Sequence, residues 1–256
     1  MNTPKAIFFD LDGTLLSQGK LIESVPEALR YAKEKDVLLF VATGRHRNEF
    51  EKMPWFPGLS FDGFVTMNGA FCYVDKEVIF KKSISKDAIR AVAELITTNQ
   101  LYCMFCEADK SYANISDPKI EAAQLSFGVT IPTIRDPMSA LDTDIYQMVF
   151  IGSELRDYVQ QLPQCNITSW AKGCYDVVPA GVNKWASILH MLDRFGLKPS
   201  EVAAVGDGQN DIEMLTNAGF SVAMGNAPDD VKAVADFVTG HVDDDGIIGA
   251  IKYLLG

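Results

Sequence analysis

The chain has 256 residues, 48% hydrophobic and 22% charged, a globular balance that excludes disorder, collagen-like repeats and coiled coil. Its length suits one large domain or two modest ones. With 23 Lys and Arg against 34 Asp and Glu the net charge is −11, which leaves no electrostatic footprint for a nucleic-acid backbone or an anionic membrane. An anionic substrate therefore needs a local remedy, such as a metal ion.

Ala6 to Phe9 is a short apolar run without alternation, as expected of a strand covered on both faces. Pro26 to Lys35 reads as a helix with Ser24 as its N-cap, and Val37 to Ala42 as a second buried strand. A helix is expected after Gly44, and a third strand at Phe64 to Met67. Strands separated by helices imply right-handed βαβ units and a parallel sheet. From about Ser83 to Gly181 the pattern changes. Helices at Lys86 to Thr98 and Ser153 to Leu162 mix there with half-alternating strands at Leu101 to Phe105, Tyr146 to Ile151, Asn166 to Trp170 and Cys174 to Val178. That is an α+β pattern, the mark of an antiparallel sheet in an inserted module. Lys184 to Phe195 then reads as a helix stopped by Gly196 and Pro199. Strands at Val202 to Val205, Phe220 to Ala223 and Phe237 to Val238 alternate with helices at Asp211 to Asn217, Asp229 to Ala235 and Ile247 to Leu255. The expected fold is thus α/β, a doubly wound and mostly parallel sheet whose two halves flank the insertion.

The five cysteines are odd in number and thinly spread, and no N-terminal stretch reads as a signal peptide, so a reducing, cytoplasmic location is expected. The longest apolar runs fall far short of the roughly 20 residues of a membrane span. Cys103-x-x-Cys106 has no second pair and its members fall on opposite faces of the expected strand, so both read as core. Trp55, Phe56, Phe61, Phe71 and Tyr73 likewise read as core packing, and the late acids from Asp229 to Asp245 as solvated surface.

Four motifs carry chemistry. Asp10-Leu11-Asp12-Gly13-Thr14 puts two carboxylates at the end of the first strand, where ligands bind in open α/β sheets. A buried pair of like charges is costly unless a cation neutralises it. Thr43-Gly44-Arg45 offers a hydroxyl and free backbone N–H groups at another strand end, a small anion-binding corner. Lys184, after the probable module junction, is one of few cations able to approach an acidic site, and a point charge of that kind suits a phosphate oxygen. Gly206-Asp207-Gly208-Gln209-Asn210-Asp211 nearly matches a dinucleotide fingerprint, but its two carboxylates repel a pyrophosphate and favour a hard divalent cation. No P-loop and no G-x-S-x-G elbow is present.

In this order, the four motifs resemble those of the haloacid dehalogenase (HAD) superfamily of phosphatases. The insertion between the second and third of them is similar to the α/β cap of the Cof-like subgroup, as is Thr66-Met67-Asn68-Gly69-Ala70 to that subgroup's strand ending. The resemblance implies a HAD-like, Rossmannoid core over residues 1–82 and 182–256 and a cap domain over 83–181. It makes Asp10 the nucleophile and Asp12 the general acid and base. Thr43, Gly44, Lys184 and Asn210 become holders of the phosphoryl group, and Asp10, the Asp12 carbonyl, Asp207 and Asp211 the ligands of Mg2+. Cap loops near Cys174 to Asp176 are expected to read the leaving group. The implied activity is magnesium-dependent hydrolysis of small phosphate esters, sugar phosphates foremost, through an aspartyl-phosphate. A sugar phosphomutase or a non-catalytic phosphometabolite sensor are the alternatives. Trp185 departs from the family, which commonly has glycine after the lysine. Neither the individual substrate nor the oligomeric state is legible.

Overall fold

The computed structural model describes residues 3–126, 131–152, 162 and 164–256. Among them an eight-stranded sheet runs in the order Phe237–Val238, Phe220–Ala223, Val202–Gly206, Ala6–Phe9, Leu38–Ala42, Gly63–Thr66, Phe71–Val74 and Glu77–Lys81. The first six run parallel, and Phe71–Val74 pairs antiparallel with both Gly63–Thr66 and Glu77–Lys81. The unbroken apolar runs conceal a period of two. Ile7, Phe9, Leu39, Val41, Ala203 and Val205 belong to a cluster with the helices Val25–Glu34 and Gly246–Leu255. Ala6, Phe8, Phe40, Ala42, Val202 and Ala204 belong to another with Lys184–Phe195 and Ile212–Asn217. Both faces are therefore covered, as a doubly wound sheet requires. Phe8 and Phe40 stack with ring centroids 4.6 Å apart.

Two local expectations are corrected, and one hairpin adds to them. Ser24 sits at the start of Val25–Glu34 but in helical geometry, and its hydroxyl caps nothing. Pro26, in the first turn, lacks an N–H and so already lowers the demand for a cap. The helix expected after Gly44 is only a 3-10 turn, Arg47–Glu49, because Thr43 Oγ1 and His46 Nδ1 accept from the N–H groups of Arg45 and Asn48 and offer the backbone an alternative to helix. The hairpin Phe71–Val74 and Glu77–Lys81 was not expected, since its outer strand is half-exposed and weakly patterned. Side-chain N-caps do occur where Ser85 and Asn183 accept from the N–H groups of Ala88 and Ala186.

A second, six-stranded sheet lies wholly within the insertion, in the order Thr133–Ile134, Ser111–Ala113, Cys103–Cys106, Gln147–Ile151, Cys174–Pro179 and Cys165–Ala171. It is antiparallel as expected, except that Thr133–Ile134 joins its neighbour in parallel. Phe105, Met148, Phe150 and Val177 on one face pack against Ala88, Ile89, Val92 and Ile96 of the helix Lys86–Asn99. Met104, Cys106, Val149 and Val178 on the other face join the core cluster. Cys103 and Cys106 thus lie on opposite faces, buried and free, and burial pushes both thiols well above their ordinary range. The expected helix at Ser153 to Leu162 falls outside the described residues apart from Leu162. Trp55, Phe56 and Phe61 pack against the core cluster of Phe71 and Tyr73. No helix among the described residues is long and apolar enough to cross a membrane.

Candidate active site

The carboxyl ends of Ala6–Phe9, Leu38–Ala42 and Val202–Gly206 lie side by side, so the residues that follow each strand meet at one edge of the sheet. Asp10 leaves the first strand with its N–H donating to Val205 O, and its side chain is buried. Asp207 and Asp211 follow the neighbouring strand. Ligand oxygens of Asp10, Asp207 and Asp211 all lie within 4.8 Å of one another. Lys184, from the first turn of its helix and 1% exposed, donates from Nζ to Asp10 Oδ1 and to Asp211 Oδ1, both at 2.6 Å. Asp211 Oδ2 accepts the N–H groups of Asp207 and Gly208, so one carboxylate shapes the loop and anchors the lysine.

Burial is the main cause of the electrostatics. It drives the Asp10 carboxyl well above the usual carboxylate range, against the opposing pull of Lys184. Burial, reinforced by the charge of Asp211, raises Asp207 to about 7. The ammonium of Lys184 also loses hydration, but Asp10 and Asp211 outweigh that loss and its pKa rises. A site with three carboxylates and one cation is short of positive charge, and hard oxygen donors are what a small divalent ion takes. The donor set fits such an ion.

Close approach fixes one glycine. Gly13 has φ +84°, and a Cβ there would come within 2.0 Å of Asp207 Oδ2. Asn226 Nδ2 fastens the same contact by donating to Gly13 O and Asp207 Oδ2, each at 2.9 Å. Thr14 Oγ1 reaches Asp207 Oδ1 at 3.4 Å.

Asp12 stands apart from the three converging carboxylates. Its side chain is 45% exposed and is held by the fork of Arg45, Nε to Oδ2 at 2.6 Å and Nη2 to Oδ1 at 2.7 Å. Thr43 is buried at the end of its strand, and Gly44 lies so close to Asp176 and Asn68 that a Cβ would meet them at 3.1 and 3.2 Å. Asn210 Nδ2 donates to Asn68 Oδ1 at 2.9 Å. Trp185, the departure from the family, packs against the apolar cluster under the sheet.

Residues beyond the four motifs complete the site. Asn68, at φ +51°, donates from Nδ2 to Gln147 Oε1 at 2.9 Å and to Asp176 Oδ2 at 2.8 Å, while Gln147 Nε2 donates to Gly44 O at 2.9 Å. Trp170 Nε1 donates to Asp176 Oδ1. Asp176 lies in the strand Cys174–Pro179, close to the strand expected over Cys174 to Val178, and it is buried; burial lifts its carboxyl to about 7 despite the hydrogen bonds from Asn68 and Trp170. These bonds tie the inserted sheet to the carboxyl edge of the first sheet.

Fold and site together define a doubly wound α/β protein with a Rossmannoid core, a cap set over its carboxyl edge and a carboxylate cluster built around a buried lysine. The haloacid dehalogenase-like hydrolase family matches residues 7–251, and the chain belongs to that family. YkrA of Bacillus subtilis (strain 168) is 31% identical over 253 residues, 98% of this chain and 97% of that protein. The 5-amino-6-(5-phospho-D-ribitylamino)uracil phosphatase YcsE of the same strain is 28% identical over 97% of this chain and 95% of its own. The structure of the HAD subclass IIB sugar phosphatase BT4131 superposes with a TM-score of 0.91 and 34% identity, covering 97% of this chain and 98% of its own.

Proposed function

We propose that the protein is a magnesium-dependent, cytoplasmic phosphatase of small phosphorylated metabolites, with sugar phosphates as the main class. The observation that carries this reading is the convergence of Asp10, Asp207 and Asp211 around the buried Lys184. Sugar-phosphate specificity is supported by the likeness to a sugar phosphatase. The same reading divides the chain into a catalytic core, residues 1–82 and 182–256, and a cap, residues 83–181. The bonds from Gln147 and Asp176 to Gly44 and Asn68 support a cap that covers the site.

Phosphate monoesters are among the slowest of uncatalysed hydrolyses, so several effects must act together. A carboxylate oxygen of Asp10 attacks phosphorus, and the bond to the leaving oxygen breaks as Asp12 gives that oxygen a proton. Asp12, now a base, takes a proton from water, which attacks phosphorus and frees the Asp10 carboxylate. Arg45 keeps Asp12 oriented. Thr43, the backbone at Gly44, Lys184 and Asn210 hold the phosphoryl oxygens. Asp10, the Asp12 carbonyl, Asp207 and Asp211 would hold Mg2+. When bound, the ion offsets the repulsion between a carboxylate and a phosphate dianion.

Phosphate release from a panel of sugar phosphates, nucleotides and cofactor phosphates tests the reading. Sugar monophosphates are expected to be hydrolysed with magnesium and to fall to background with a chelator. Activity indifferent to the chelator, or confined to substrates other than small phosphomonoesters, overturns it.

The raised carboxyls also predict a pH dependence. Asp176 and Asp207, at about 7 in the fold against 3.8 in the free chain, keep protons that the unfolded chain releases. The unfolded state therefore binds fewer protons between those values, and the stability of the metal-free protein falls as pH rises through them. Thermal melting is expected at a lower temperature at pH 8 than at pH 5, with a smaller difference in saturating magnesium because Asp207 then has a cation. A melting temperature that rises with pH in chelator contradicts this.

A further inference from the structure

A cavity of about 320 Å³ lies between the cap strand Cys165–Ala171 and the core turn Gln209–Asp211, beside Lys184. We infer that this cavity seats the leaving group, and that Glu213 at its mouth is a specificity residue that turns away leaving groups bearing a second anion. The inference rests on the phosphatase reading and deepens it.

The wall mixes the apolar Cys165, Ile167, Val178 and Val182 with uncharged polar groups. Asn166 and Thr168 contribute from the strand, Asn183 from the helix cap, and Gln209 and Asn210 from the turn. Asn166 is fixed by donating from Nδ2 to Val182 O, and Thr168 lies directly opposite Asp176 in the cap sheet. The Thr168 hydroxyl and the Glu213 carboxylate have no hydrogen-bond partner among the described residues. Carboxamides and a hydroxyl donate and accept equally well, which suits a neutral group rich in hydroxyls. The volume is at the lower end of ligand pockets, which span about 300–1,000 Å³, and so suits a single small ring.

Charge decides the rest. Lys184 is the one cation among the lining residues, and its ammonium is committed to Asp10 and Asp211. Glu213 is the one carboxylate that lines the cavity, and Gln209 holds a second, Asp230, nearby at 2.6 Å from its Nε2. A second phosphate on the leaving group would find no free counter-charge and would face Glu213, with the charge of Asp230 behind Gln209. Glu213 also stands in the first turn of Ile212–Asn217, where an acid suits the helix dipole. That role concerns stability alone and leaves substrate ranking untouched.

The test compares kcat/KM for glucose 6-phosphate and glucose 1,6-bisphosphate, using the full chain with magnesium. Glu213→Lys is expected to raise the bisphosphate-to-monophosphate ratio by about tenfold, and Glu213→Gln by a smaller factor in the same direction. Added salt should raise the wild-type ratio more than that of Glu213→Gln, since it screens an exposed charge. A ratio unmoved in both variants, with glucose 6-phosphate still hydrolysed, overturns this inference and leaves the phosphatase reading intact. Failure of the wild type to release phosphate from any small monoester removes the phosphatase reading itself.

Discussion

Asp10→Asn is expected to lower the rate of phosphate-ester hydrolysis by about 10³-fold or more, with the fold intact. The amide that replaces the carboxylate is almost the same size and can still accept from Lys184 Nζ, so the geometry around the lysine survives. The loss is of a nucleophile and of one negative ligand. Members of a catalytic unit are not independent, and removing one forfeits most of what the unit supplies. The same substitution should not weaken the metal-free protein. Asp10 is a carboxylate that its surroundings push well above the usual range, so a neutral isostere removes an unfavourable charge. Two readouts therefore move apart: phosphate release collapses while the melting temperature in chelator holds or rises. Hydrolysis within tenfold of wild type would show that another group attacks phosphorus.

The legible parts of the molecule are those whose signal is local. Buried parallel strands announce themselves as apolar runs, and Ala6–Phe9, Leu38–Ala42 and Val202–Gly206 lie within a residue of their expected places. Lys184 was legible from its place, after the expected module junction and among few cations able to approach an acidic site; its position in the helix also breaks a local rule. A cation in the first turn of a helix opposes the dipole, and such violations concentrate where function requires them. What sequence could not reveal depends on residues far apart in the chain. Asp176 is read only once Asn68, 108 positions away, is placed beside it, and Asn226 only once Gly13 is, 213 positions away. Arg45 stood inside a recognised motif, but its partner Asp12 is on another strand's exit and nothing between them signals the pairing. Asn68 did leave a trace: Met67 and Asn68 precede a glycine, and both adopt positive φ, a conformation that asparagine tolerates well and methionine does not. The short strands Ser111–Ala113 and Thr133–Ile134 carry too few residues for any periodicity to declare itself.

Lys184→Met is expected to be the most damaging single change to the metal-free protein. The ammonium is buried and makes two charge-assisted bonds of 2.6 Å, to Asp10 and Asp211. Methionine fills much of the same volume, so the loss is electrostatic. Removing one member of a buried ionic cluster leaves the others uncompensated and typically costs about 3–5 kcal/mol. Three converging carboxylates must then share protons or repel one another. Magnesium should restore part of the melting temperature by supplying positive charge to the same oxygens, but it cannot restore the contact with the phosphoryl group. Phosphate release should therefore stay depressed by about 10²-fold or more even in saturating metal. A second change separates the two roles. Lys184→Met combined with Asp211→Asn deletes the cation and one of its anions together, and should melt higher in chelator than Lys184→Met alone. It should remain inactive, because Lys184 is still missing. If Lys184→Met melted within about 1 kcal/mol of wild type in chelator, the cluster would not depend on this lysine for its charge balance. The carboxylates would then have to be protonated in the native state, and the double substitution would bring no gain.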